Sequence, residues 1–173
     1  RLEGFRTHGK IYEASASQMF GVPIELIKKG NPEYALRQKG KVAELALGYQ
    51  GSTGALINMG ALDMGIPEED LPDIVSRWRE ANKRIRDLWY SMDNAAVQVI
   101  TQGGSVGING LLLAREYDYN QGTDCFTIQL PSGRKLYYVS PGIGENQWGN
   151  PSISYMGMDQ KTKRWKRIET YGG

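Results

Sequence analysis

The chain has 173 residues, with 21 Lys or Arg against 19 Asp or Glu and a formal net charge of +2. This length suits one medium-sized domain, and no apolar run approaches the ~18 residues of a membrane-spanning helix. A single histidine, His8, and a single cysteine, Cys125, exclude an internal disulfide and any zinc site that needs several such ligands.

Helical patterns dominate the chain up to about Thr101. We expect a helix over residues 10–20 that ends at Gly21, and a second one from Pro23 to Gly30. A turn at residues 31–32 precedes a longer helix over 33–49, and Ser52 can cap a short helix that ends before Gly60.

Residues 71–99 give the strongest helical pattern, and the run Pro67-Glu68-Glu69-Asp70 predicts its start. Apolar residues follow the spacing of one buried face: Leu71, Ile74, Val75, Trp78, Ile85, Leu88, Trp89, Met92, Ala96 and Val99. Basic residues fill the other faces: Arg77, Arg79, Lys83, Arg84 and Arg86. This pattern fits either a solvated surface or a face that contacts phosphates.

Strand patterns replace helical ones after Gln102-Gly103-Gly104. We expect strands over 111–119, 125–130, 135–139, 152–158 and 164–170, and a hairpin turn at 131–133. The sequence therefore predicts an α+β fold, with a mainly helical segment over 1–102 and a small antiparallel β region over 103–173.

Arg37, Lys41, Leu45 and Tyr49 are spaced four residues apart, so a continuous helix would place them in one stripe. The two cations suit a polyphosphate, because Arg offers a planar fork and Lys a point charge. Leu45 and Tyr49 would add a surface for a sugar or base. The alternative is a basic solvent-exposed face whose last turn packs Leu45 and Tyr49 into the core.

Gly40 and Gly48 lie inside the same predicted helix. Each costs about 1 kcal/mol relative to Ala, and the two cations one turn apart repel each other. Both features favour a helix whose backbone is approached closely and which meets an anion.

The segment RQKGKVAELALGYQG (37–51) resembles the motif B helix of family A DNA polymerases, the relatives of bacterial DNA polymerase I. The family pattern is R-x3-K-x3-F/L/Y-x3-Y-G, on the fingers helix that closes over the incoming nucleotide. The segment RTHGKIYEASASQMFGVP (6–23) is most similar to the phage-encoded branch. The resemblance covers most of the chain and is stronger over residues 5–60 than over 130–173.

The resemblance implies a role for each residue of the stripe. Arg37 would contact the outer phosphates of the dNTP. Lys41 would be catalytic, stabilising charge near the breaking bond and serving as a candidate proton donor to pyrophosphate. Leu45 would pack on the sugar and base. Tyr49 would lie at the nascent base pair and hold the template base.

Two local departures from the family pattern affect this assignment. Gln50 separates Tyr49 from Gly51, where the family usually has Gly directly after Tyr, so the template contact expected of Tyr49 and Gly51 is altered. Tyr12 stands where much of the family has a phosphate-binding His, and a neutral phenol should bind phosphate more weakly. His8 is expected at the surface.

The metal-binding aspartates of the family are also missing. Its two Asp motifs, resembling D-[FY]-S-x-[IL]-E and H-D-E, should precede Arg1 and follow Gly173. Asp118 and Asp124 match neither motif and are interpreted as loop residues. We therefore expect Mg²⁺ in the parent enzyme, no metal held by this chain, and no polymerase activity from the chain alone.

Two basic segments of the β region are candidate DNA contacts. Ser132-Gly133-Arg134-Lys135 resembles a G-R-R turn of the family, so Arg134 and Lys135 are expected near DNA. Further on, Trp165 lies within a basic run, and Lys163, Trp165 and Arg167 would share one strand face. This run comprises Lys161, Lys163, Arg164, Lys166 and Arg167. It fits either a charged edge strand that resists aggregation or a contact to the duplex backbone.

These patterns and the resemblance predict a fragment of a DNA-directed DNA polymerase that binds the incoming dNTP and the template. Its partners would be primer-template DNA and dNTPs, with no membrane partner. The lone cysteine fits a reducing, cytoplasmic setting. The mixed, polar residues at the start do not resemble a signal peptide. Because the chain begins with Arg1 and lacks an initiator Met, a piece of a larger protein is expected. The alternative is a non-catalytic nucleic-acid-binding module.

Overall fold

A computed structural model of the chain describes residues 2–7, 9–146 and 149–170. The described residues form six α-helices, followed along the chain by one six-stranded antiparallel sheet. The predicted α+β fold is thus confirmed. His8 lies outside the described residues.

The chain divides into two compact units, Arg1–Arg86 and Asp87–Gly173. This boundary falls within the last helix, whereas the change from helices to strands follows Gln102. Among the described residues, no helix is both long enough and apolar enough to cross a lipid bilayer.

The first helices follow the chain as α1 (Leu2–Thr7) and α2 (Ile11–Phe20). The helix predicted over 10–20 is confirmed, and it ends at Gly21 in the left-handed conformation with φ of 67°. The helix predicted over 23–30 is wrong, because only a 3₁₀ turn forms over Ile24–Leu26. Asn31 Nδ2 bonds the carbonyl of Leu26 at 3.0 Å, which removes the acceptor that a longer helix would offer.

The next helices are α3 (Leu36–Leu47) and α4 (Thr53–Asn58). A 3₁₀ turn over Pro32–Ala35 leads into α3, so the helix predicted over 33–49 is shorter at both ends. Beyond it, the N–H of Gln50 bonds the carbonyl of Leu47 at 3.1 Å, and Gln50 has a left-handed φ of 65°.

The single helix predicted over 71–99 is wrong, because two helices form: α5 (Leu71–Ala81) and α6 (Lys83–Gln102). Asn82 causes the break with φ of −120° and ψ of 40°. Its Nδ2 donates to the carbonyl of Trp78 at 2.9 Å, and its own carbonyl accepts the N–H of Ile85 at 3.0 Å. Asparagine here terminates one helix and begins the next.

The core of the first unit lies where α2, α3 and α5 meet. Trp78 on α5 is fully buried, and its Nε1 donates to Glu44 Oε1 on α3 at 3.1 Å. The buried apolar residues around it include Ala16, Met19, Val42, Ala43, Leu47, Leu56, Leu71 and Ile74. Burial of these apolar side chains holds α3 against α2. The candidate site is lined by residues of these two helices.

The sheet of the second unit is a meander in which each strand pairs with the next. Its strands are β1 (Ser105–Ile108), β2 (Leu111–Asp118), β3 (Thr123–Gln129), β4 (Lys135–Glu145), β5 (Pro151–Met158) and β6 (Trp165–Glu169). The five predicted strands and the hairpin turn are present. Strand β1 and the second half of β4 were not predicted.

One face of the sheet packs on α6. Leu113 and Ile128 are partners across β2 and β3, and Phe126 and Tyr138 are partners across β3 and β4. These side chains form a core with the buried residues of α6, which are Ala95, Ala96, Val99 and Ile100. The guanidinium of Arg115 joins this helix to the sheet, since it donates to the Ile100 carbonyl and forms a 2.6 Å ion pair with Asp124.

Candidate functional site

A cavity of about 640 Å³ opens in the first unit between α2, α3 and the start of the chain. Three of the four predicted stripe residues line it: Arg37, Leu45 and Tyr49. The remaining lining residues are Phe5, Gly9, Lys10, Ile11, Tyr12, Glu13, Glu44 and Gly48. A volume of this size matches pockets that hold small-molecule ligands.

Arg37 is held by two residues of α2. Its Nε donates a 2.8 Å hydrogen bond to Oε1 of Glu13, and its guanidinium carbon lies 5.3 Å from the centre of the Tyr12 ring. The arginine is thus fixed by an ion pair and a cation–π contact. Tyr12, expected as a weakened phosphate ligand, instead supports the arginine in this structure.

Lys41 follows Arg37 by one turn of α3, about 6 Å along the axis. It is partly buried, and it is not among the residues that line the cavity. The structure therefore does not bring Lys41 to the cavity together with the other three stripe residues.

Leu45 and Tyr49 lie at the surface of the cavity, 39% and 90% exposed. The alternative that packs them into the core is therefore wrong. The prediction of one continuous helix through all four residues is also wrong, because α3 ends at Leu47 and Tyr49 lies in the turn beyond. Gly48 keeps a right-handed helical conformation, with its N–H on the Glu44 carbonyl at 3.2 Å, and the left-handed residue of the turn is Gln50.

At Gly40 and Gly51, neighbouring atoms lie so close to the backbone that there is no room for a side chain. A Cβ atom at Gly40 would overlap the carbonyl oxygen of Tyr12 and lie 3.1 Å from the Cβ of Ala16. The partner that approaches the helix backbone is therefore α2 rather than an anion. At Gly51, a Cβ would lie 2.6 Å from that of Ala55, and the Gly51 carbonyl accepts from Arg79 Nη2 at 3.2 Å.

Arg134 and Lys135, the predicted DNA contacts of the β region, belong to the second unit. Arg134 is exposed in the turn, and its carbonyl accepts the N–H of Leu130 at 2.8 Å. Lys135 donates to Glu116 Oε1 at 2.7 Å, and this hydrogen bond raises the pKa of the lysine. A DNA phosphate that contacts the Lys135 ammonium group would have to share this group with the Glu116 carboxylate.

Several basic residues of α5 and α6 have protein partners. Arg77 pairs with Asp73 at 2.6 Å, and Lys83 pairs with Glu80 at 2.5 Å. Because carboxylates within one turn already neutralise Arg77 and Lys83, the structure favours a solvated surface over a phosphate-binding face at these two residues.

The basic run near the end of the chain forms part of the β5–β6 hairpin. Lys163 has φ of 55° and precedes β6, so it does not share a strand face with Trp165 and Arg167 as predicted. Arg167 Nη1 donates to the Ser140 carbonyl at 3.2 Å and to Ser154 Oγ at 3.0 Å. Arg167 thus supports the irregular part of β4, while Trp165 remains 58% exposed.

Asp118 and Asp124 were predicted in loops, and this is wrong. Asp118 ends β2 and accepts the N–H of Asn120 at 2.9 Å, while Asp124 lies in β3, paired with Arg115. Within the described part of the chain, no three His, Cys, Asp or Glu residues form a group able to hold a metal ion. Cys125 is buried, which raises the pKa of its thiol.

Glu13 is a further member of the site that was not predicted from the sequence. The pairing with Arg37 spans 24 residues and arises only when α2 packs on α3.

The chain is similar to a protein named DNA polymerase from Bacillus phage SP02, with 50% identity over 175 aligned positions. The match covers the whole of this chain but 26% of the relative, so the chain spans about a quarter of the length of the curated relative it matches. No protein-family model matches the chain. No solved structure matches it significantly.

Proposed function

We propose that this chain is the nucleotide-binding part of a DNA-directed DNA polymerase of family A, and that α3 is its fingers helix. The observation that carries the proposal is the 50% identity to a phage DNA polymerase along the entire chain. The motif B spacing of Arg37, Lys41, Leu45 and Tyr49 supports the assignment to family A.

The cavity supports a dNTP as its ligand. Arg37 brings a planar cation to the cavity, and the exposed Leu45 and Tyr49 offer apolar and aromatic surface for a sugar and base. Lys10 adds a second cation to the lining. In this assignment Arg37 binds the outer phosphates, while Tyr49 and Gly51 face the template.

Lys41 would act in the chemical step. Negative charge redistributes over the transferring phosphate during phosphoryl transfer, and a placed ammonium group stabilises that charge. Lys41 would reach the phosphates once the side chain turns from its partly buried position toward the bound nucleotide.

The described residues do not fit a Mg²⁺ site, because they offer no group of three acidic or other metal-binding side chains. Asp124 and Glu116 are each engaged by a cation, Arg115 and Lys135 respectively. Any catalytic Mg²⁺ would therefore be held by carboxylates outside these residues, while this chain would bind and orient the nucleotide and supply Lys41 to the chemical step.

Primer extension by the intact protein tests the proposal. With primed template, dNTPs and Mg²⁺, we expect template-directed extension, and Arg37→Ala should raise the dNTP concentration needed for half-maximal rate. The reading frame on either side of the chain should also encode the two Asp motifs. DNA binding without extension, together with a frame that lacks both motifs, would support a non-catalytic nucleic-acid-binding module instead.

A further inference from the structure

The cavity contains an acid where an anion is proposed to bind. Glu13 lies on α2 with its side chain 13% exposed, and its Oε1 accepts from Arg37 Nε on α3 at 2.8 Å. A carboxylate in this place would repel the phosphates of a nucleotide. We therefore ask what Glu13 contributes to binding that could offset this repulsion.

The geometry of the pair suggests that contribution. An arginine has five N–H donors, and Glu13 takes the one on Nε. In the part of the chain that the structure describes, the two Nη groups have no hydrogen-bond partner, and the Tyr12 ring lies 5.3 Å from the guanidinium carbon. The Nε edge of the guanidinium is therefore occupied by Glu13. The two Nη groups, which suit bidentate contact with a phosphate, remain open.

We propose that Glu13 is a positioning residue that presents the Nη end of Arg37 to the phosphates of the incoming nucleotide. The inference rests on the proposed function, because it takes the ligand of Arg37 to be a dNTP. A free arginine side chain samples many rotamers, and the Glu13 carboxylate together with the Tyr12 ring limits that freedom before the ligand arrives.

Two substitutions separate the reach of Glu13 from its charge. Glu13→Gln keeps the length and the Oε1 acceptor but removes the charge, so the dNTP dissociation constant should stay within about threefold of wild type. Glu13→Asp keeps the charge but is one methylene shorter, so it should release Arg37 and weaken dNTP binding roughly three- to tenfold. Simple charge repulsion predicts the opposite order, with tighter binding in Glu13→Gln.

The experiment measures single-nucleotide incorporation by the intact protein over a range of dNTP concentrations, which yields the dissociation constant and the maximal rate separately. Glu13→Asp should change the dissociation constant and leave the maximal rate within about twofold. In an Arg37→Ala background, Glu13→Asp should have no further effect, since the residue acts through Arg37. A purely structural role would instead lower the melting temperature equally in both backgrounds.

Asp73→Ala is the matched control. It removes a carboxylate that pairs with an arginine of the same unit, Arg77, but outside the cavity, and it should leave dNTP affinity unchanged. Tighter binding in Glu13→Gln, or wild-type binding in Glu13→Asp, overturns the role of Glu13 while the proposed function stands. If Arg37→Ala itself leaves dNTP affinity unchanged, the proposed function fails and the inference fails with it.

Discussion

Gly40 of α3 lies directly against the backbone of Tyr12 on α2, so that a Cβ atom at Gly40 would overlap the Tyr12 carbonyl oxygen. This close approach brings together the two helices that hold Arg37 and Glu13. A glycine that weakens the helix by its own propensity thus allows the packing on which the cavity depends.

Gly40→Ala should destabilise the protein. Alanine favours a helix by about 1 kcal/mol over glycine, but the overlap with Tyr12 forces the helices apart, and overpacking costs about 1–3 kcal/mol. Gly54→Ala is the control, because Gly54 lies in α4 with open space where its Cβ would be. In chemical denaturation, the first variant should unfold at lower denaturant than wild type and the second at equal or higher denaturant. If Gly40→Ala were as stable as wild type or more stable, as Gly54→Ala is expected to be, the close packing at Gly40 would be contradicted.

Asp159 in the β5–β6 turn should titrate at unusually low pH. The hydrogen bond from Lys166 at 2.8 Å lowers the pKa of this carboxyl below its ordinary 3.8, with further lowering by Thr162 N–H and hydroxyl. Because the folded pKa is depressed, the contribution to stability is complete above pH ~4 and is lost as the pH falls below it. NMR titration of the side-chain carboxyl measures this, and Lys166→Ala should move the midpoint upward. A wild-type midpoint at 3.8 or higher would rule out the pairing.

The 173-residue chain by itself should not extend a primer. Two-metal catalysis needs carboxylates that hold both ions, and the described residues provide no such group. Purified chain is incubated with primed template, dNTPs and Mg²⁺, alongside the intact protein as a positive control. Extension that persists after removal of contaminating polymerases would place the catalytic carboxylates within this chain.

Local signals in the sequence predicted much of the fold. Gly21 ends α2 where expected, and the turn at residues 131–133 joins β3 to β4 as its composition indicated. The break at Asn82 was not predicted, because the apolar spacing continues through it and the competing side-chain bond to Trp78 forms only locally. Short-range patterns therefore predicted which helices and strands form more reliably than the residues at which they begin and end.

The candidate site was only partly predictable. The four-residue spacing identified Arg37, Leu45 and Tyr49, which the structure brings to one cavity. The partners of Arg37 could not be predicted, since Glu13 meets it only through the packing of α2 on α3. The engagement of Lys135 by Glu116 likewise depends on strand pairing across β2, β3 and β4.

Substitution of Lys41 is the sharpest test of the claim that α3 presents its cations to the phosphates of a dNTP. If the contact of Lys41 strengthens in the transition state, Lys41→Ala should lower the maximal incorporation rate more than it weakens dNTP binding. Losing one such charged donor costs ~2.7–4 kcal/mol, or roughly 10²–10³ in rate. Lys41→Arg keeps the charge, but its broader fork should not restore full activity.

Rapid-quench incorporation by the intact protein over a range of dNTP concentrations is the deciding measurement. We expect the maximal rate to fall roughly a hundredfold or more in Lys41→Ala, and Arg37→Ala to lose mainly dNTP affinity. A Lys41→Ala maximal rate within about threefold of wild type, equivalent to ~0.65 kcal/mol, would make the stripe an ordinary helix surface and contradict the claim.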